Sequence, residues 1–257
     1  MKISYQKIYK QTFVLIFKNF FNDPRSVFFV FFMPIINFVI FNFVITGKGH
    51  AVAGGYLIIT PLLIGTNTLS LNLIDWKNSI LLKRLSITPL KKKHFFFIIL
   101  SFYFLTILFS SLWTFFWIEI ITQKNFLTGT TRWSSFIFAW LTVTFTSINL
   151  GIFMAGVSRS QNVTQMLVFL IYFPTAFLTG MTFPIYELGQ SNSFIDFISF
   201  ILPHKLPAAW ANAAWNGKDV FSYIQIPLWE VIFIVIVINI TLSLASKLTF
   251  RWETNKD

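Results

Sequence analysis

The sequence predicts an all-α polytopic membrane protein with six transmembrane helices, and three observations predict it. Of 257 residues, 55% are hydrophobic and only 11% charged, against about 25% charged in a typical soluble domain. Apolar runs of near-span length recur along the whole chain, and about 20 helical residues suffice to cross about 30 Å of hydrocarbon. The Lys and Arg residues fall between those runs and favour alternate loops. No stretch is left for a soluble domain, so residues 1–257 read as one membrane domain.

The elements follow in order. Residues 1–25 mix Lys2, Lys7, Lys10, Lys18 and Arg25 with Ile8, Phe13, Ile16 and Phe20, the composition of an interfacial helix on the inner leaflet. Asn22, Asp23 and Pro24 end it. The first span is expected from about Ser26 to Ile45, bent at Pro34, and the second from about Gly55 to Ile74, with Pro61, Gly65, Asn67 and Asn72 on faces that meet other helices. A basic loop, DWKNSILLKRLSITPLKKKH, occupies residues 75–94. If its middle is helical, Leu81, Leu82 and Leu85 share a face opposite Lys77, Lys83 and Arg84 until Pro89 stops the turn.

The third span is expected from Phe95 to Ile118, ending in Trp113, Phe116 and Trp117 at the membrane boundary. The fourth runs from about Trp133 to Val157. The fifth begins near Val163 and carries Pro174, Gly180 and Pro184, a density of breakers that predicts a broken or re-entrant end. Residues 185–228 form an outer segment expected to fold back as short re-entrant helices at the outer interface. The last span runs from about Glu230 to Ser246.

With both termini inside, 15 of the 20 Lys and Arg residues fall in inner segments and 5 in outer ones, the asymmetry that fixes orientation. The expected location is the plasma membrane, multi-pass, with cytoplasmic termini. The N-terminus lacks the pattern of a cleaved signal peptide, so the first span is expected to be retained.

Composition also narrows the chemistry. The formal charge of +11 lies in loops between spans rather than on a soluble surface, so it reports orientation and not nucleic acid. The chain contains no cysteine, and His50, His94 and His204 are too scattered for metal-ligand spacing. It has no G-x-x-x-x-G-K-[ST] loop, so ATP and Mg would have to be held by another subunit. Carboxylates are missing from the middle of every span, which argues against an ion relay. No cofactor is expected on this chain, and it is not expected to be an enzyme. The residue types open to lining a polar path are Asn37, Asn67, Asn72, Thr146 and Asn149, although Asn and Thr in spans also bond neighbouring helices.

Three segments in order resemble the permease subunits of ABC-2 type exporters, the transmembrane subunits of ABC transporters. LLKRLSITPL is similar to the segment between spans two and three of that family. GIFMAGVSRSQNVTQMLVFLIYFPTAFLTGMTFPIYEL resembles its Gly-rich span end, Arg-Ser turn, Pro-containing fifth span and Gly-x-x-x-Pro exit, and ILPHKLPAAWANAAWNG resembles the outer segment that follows. The chain departs from the family in carrying Asp75, Lys77, Asn78 and Ser79 where acidic residues and a Gly-Thr pair are usual. The resemblance implies six spans, inner termini, a second permease copy or paralogue, and a cytoplasmic ATPase subunit. That subunit would dock on residues 75–94 as a coupling loop through Trp76, Ile80, Leu81, Leu82, Lys83, Arg84, Leu85 and Pro89. The implied activity is outward movement of a drug, peptide, lipid or glycan-type substrate. The alternatives are a membrane scaffold or assembly factor that binds a non-ATPase partner through the same loop and, further off, an embedded lipid-processing enzyme.

Overall fold

The computed structural model describes residues 5–44, 49–79, 92–123, 130–182 and 193–250. Among these, six helices are long and apolar enough to cross a membrane: Pro24–Asn42, Ala53–Asn78, His94–Thr122, Trp133–Val157, Gln161–Leu178 and Leu228–Thr249. The described residues are helical with no strand, so the fold is an all-α multi-pass membrane protein. Spans one, two and five present Pro24, Asn78 and Gln161 at one end of the bundle. Among the described residues that end also bears most of the cations, Lys10, Lys18, Arg25, Lys77, Arg159 and Lys247 among them, and it is called the basic end below.

The N-terminal helix, Tyr5–Asn22, stops where expected. Asp23 caps the first span by accepting from the Arg25 N–H at 3.2 Å, and Pro24 occupies the first turn, where its missing donor costs nothing. The helix does not lie free. Thr12, Ile16 and Phe20, spaced at i, i+4 and i+8, are buried, and Phe13 and Phe20 pack edge-on against Phe102 of span three at 5.6 and 5.5 Å. The Tyr9 hydroxyl and the His94 ring hydrogen-bond at the start of that span.

Span two is the axis of the bundle. It packs on spans three and four, and 94% of its hydrophobic window is buried. The close approach to span four needs glycine on both sides: a Cβ at Gly65 would strike Ser147, and one at Gly151 would strike the Gly65 carbonyl. Small residues let backbones meet where lipid supplies no hydrophobic drive. The helix continues to Asn78, four residues beyond the expected Ile74, because Lys77 has a partner. Its Nζ donates to the Ser158 carbonyl at 3.0 Å, with the Ala155 and Gly156 carbonyls at 3.5 and 3.4 Å. A cation thus closes the C-terminus of span four, where the free carbonyls and the helix dipole favour one.

Span five is one unbroken helix through Pro174 and breaks only at its end, where Gly180 adopts φ 84° and the Thr182 N–H returns to the Ala176 carbonyl at 3.0 Å. The segment that follows corrects an expectation. Helices Ser193–Phe200, Lys205–Trp215 and Phe221–Ile224 do fold back, but every residue of Lys205–Trp215 is buried. That helix sits inside the bundle against spans two, four and six instead of at the interface. Its Ala208, Ala209, Ala211, Ala213 and Ala214 permit close packing. Its polar groups are served: Asn212 Nδ2 donates to the Gly180 carbonyl at 3.0 Å and Trp210 Nε1 to Ser135 Oγ at 2.8 Å.

Candidate functional site

The site is built from two backbone irregularities that face each other. Residues Phe28–Phe32 of span one and Leu63–Thr68 of span two are π-helical, and the two segments pack together. A π turn widens the helix by one residue and leaves carbonyls without their usual partners, and it recurs at functional sites. In span one, Pro34 lacks the N–H that would reach the Val30 carbonyl. The Ser110 hydroxyl of span three takes that carbonyl instead, at 2.5 Å. In span two the Thr66 hydroxyl donates to the Leu62 carbonyl at 2.6 Å, and Ser70 serves the Asn67 carbonyl at 3.1 Å. Side-chain hydroxyls therefore support both irregular turns, as irregular backbone at membrane depth requires.

Between these turns and span five lies a cavity of about 370 Å³, within the usual range for small-molecule sites of about 300–1,000 Å³. Phe29 and Asn37 of span one, Tyr56 and Asn67 of span two, and Phe169 and Tyr172 of span five line it, and among the described residues no charged one does. The Tyr56 side chain is fully buried, yet its hydroxyl has no hydrogen-bond partner among the described residues. An orphaned buried donor of this kind costs about 1–3 kcal/mol unless something outside the chain satisfies it.

Toward the basic end, Phe29, Asn67 and Phe169 also border a second space of about 100 Å³, the mouth, lined by Asp23, Arg25, Asn72, Asp75, Gln161 and Gln165 among others. Arg25 bridges the two acids of this mouth, 3.1 Å from Asp23 and 3.7 Å from Asp75. Burial works to raise the Asp23 carboxyl, but the hydrogen bonds from Ser26 and Arg25 and the Arg25 charge hold it below its usual range. A buried chain then runs inward. Ser26 Oγ donates to Asp23 at 2.8 Å, Asn72 Nδ2 lies 3.0 Å from Ser26 Oγ, and the same amide lies 2.9 Å from the Tyr103 hydroxyl. The hydroxyl of Thr68, which also lines the mouth, is buried and unpartnered.

Of the residues expected to line a polar path, Asn37 and Asn67 lie on the cavity and Asn72 on its mouth. Thr146 is fully buried elsewhere and accepts from Asn239 Nδ2 of span six at 3.0 Å, and Asn149 of the same helix also stands apart. Among the loop residues, Trp76 is packed into the core at 7% exposure. Ile80, Leu81, Leu82, Lys83, Arg84, Leu85 and Pro89 lie outside the described residues, as do Pro184 and Glu187. Sequence reasoning missed Tyr56, Tyr172 and the acidic mouth. Asp23 and Asp75 are 52 positions apart, and only the pairing of spans one and two brings them to one guanidinium.

No family model, no curated protein and no solved structure matches this chain. The class that fold and site define is therefore physical: a helical multi-pass membrane protein with a cavity between spans one, two and five.

Proposed function

We propose that this chain is the transmembrane permease subunit of an ATP-driven exporter, energised by a separate ATPase subunit on the cytoplasmic side. The observation that carries the reading is the cavity of about 370 Å³, without a charged residue among its described lining, next to a polar space at the basic end of the bundle. A solute held there would rest among three spans that can move relative to one another. The basic loop leaves span two at that same end, and the Lys77 contact ties its first residues to the end of span four. A pull on the loop would then shift spans two and four together, a rigid-body route from ATPase to cavity. The orientation, with both termini and the loop inside, is supported by the cation bias. The exposed Phe28, Phe32, Phe169 and Phe173 of spans one and five would suit a second permease copy or paralogue.

The test is copurification from native membranes. An ATPase subunit should come down with the chain, and its hydrolysis rate should respond to cargo. Leu82→Asp with Leu85→Asp should abolish that response while leaving insertion intact. Recovery of a partner without ATPase activity would favour the scaffold reading. Because the chain has no cysteine, a thiol introduced at Ser79 reports sidedness: it should resist an impermeant reagent in intact cells.

A further inference from the structure

We infer that the cavity and its mouth take an amphipathic monocation, with the apolar part among spans one, two and five and the cationic head beside Asp23 and Asp75. The inference rests on the permease reading for its transport meaning but is read on the chain alone.

Three observations combine. Among the described residues the cavity wall is mainly aromatic and aliphatic, with Asn37 and Asn67 as its amides and no charged side chain, so a charged group cannot be held at that depth without heavy desolvation. The mouth, among the described residues, has two carboxylates and one guanidinium, a net charge of −1 at the end of the chain where cations otherwise dominate. Arg25 shares its charge between both acids, and at 3.7 Å its contact with Asp75 leaves that carboxylate the less satisfied of the two. An ammonium or similar head would complete the balance, while a sulfate or phosphate head would meet two like charges. The nearest cation on the same helix as Asp75, Lys77, is turned to the Ser158 carbonyl at 3.0 Å, and exposed charges farther than about 8 Å are largely screened at physiological salt. Finally, the Thr68 hydroxyl, buried at the mouth and without a hydrogen-bond partner among the described residues, can accept from an ammonium N–H.

The experiment uses the purified full-length chain in nanodiscs of neutral lipid and measures equilibrium binding of radiolabelled decylammonium below its micellar concentration. Decyl sulfate, decylphosphocholine and decanol serve as length-matched competitors. The ammonium should bind at least tenfold more tightly than any of the three. Asp75→Asn should erase that preference, and Arg25→Gln, which leaves the mouth at −2, should increase it, so a folding defect in one variant does not decide the result. Phe29→Trp, at the border shared by cavity and mouth, should weaken every probe together. Preference for the sulfate or the phosphocholine, equal binding of all four, saturation by lipid or by a second copy so that none binds, or no response to either charge variant would overturn the inference. A chain that binds the ammonium as stated but copurifies with no ATPase would leave this site in place and remove the exporter reading instead.

Discussion

Spans two and six show opposite ways of belonging to a membrane bundle. Span two contains Pro61, Gly65, Asn67 and Asn72, has the lower mean hydropathy of the pair, and is 94% buried over its window. Span six is among the most apolar segments of the chain and is 11% buried, with Phe233, Ile236, Ile240 and Leu244 facing outward. In water the more apolar helix would be the core. In lipid the ranking inverts, since hydrocarbon solvates Leu as well as protein does and only small or hydrogen-bonding residues gain by meeting another helix.

The largest expected effect breaks the inner member of the pair. Gly65→Leu or Gly151→Leu drives a side chain into the facing backbone or Ser147, and should prevent recovery of a monodisperse protein by size-exclusion chromatography. Next comes the helix lodged between the two spans. His204, at its N-terminus, is fully buried with Nδ1 unpartnered and Nε2 2.9 Å from Ser147 Oγ. Burial pushes its pKa from the usual 6.5 down to about 3. The unfolded chain therefore binds the extra proton throughout that window, and stability should fall as pH drops through it, at up to about 1.4 kcal/mol per pH unit, while remaining whole above about pH 7. Denaturation followed against pH should show this slope, and His204→Gln should flatten it.

A smaller effect tests the polar interior of span two. Asn72→Leu strips Ser26 and the fully buried Tyr103 hydroxyl of a partner, and should cost about 1–3 kcal/mol by reversible unfolding in mixed micelles. The outer span should respond least. Asn239→Leu removes one bond to Thr146, about 0.6 kcal/mol on the average for such pairs, and Leu244→Ala, on the lipid face, should stay within about 0.5 kcal/mol. An Asn239 effect as large as that of Asn72 would mean that span six is an interior helix in the working assembly.

How much of this was legible depends on what each feature rests on. The limits of span four were readable because long apolar runs are a property of consecutive residues, and Trp133–Val157 matches its expected range, whereas span three continues to Thr122, four residues past the expected Ile118. The stop at Asp23 and Pro24 was readable because caps are local chemistry. The π turns were not, since they depend on which distant hydroxyl donates to a displaced carbonyl, as Ser110 does to Val30. Hydrophobicity misplaced Lys205–Trp215 because Lys205, Asn212 and Asn216 look like water-facing residues. In the fold Asn212 bonds Gly180 and Lys205 lies over the Phe200 ring at 5.7 Å. The run of alanines was the available signal. Of the site, Asn37 and Asn67 could be suspected from residue type alone, whereas Tyr56 was hidden among apolar neighbours.

The buried helix Lys205–Trp215 also constrains how the protein is made. Its 11 residues reach about 16 Å at 1.5 Å per residue, too short to be threaded across the bilayer as an independent stopper during synthesis. It packs on spans two and four, which precede it in the chain, and on span six, which follows it. Its slot is therefore complete only once span six is in place, and a chain ending before span six would leave one face of this helix uncovered.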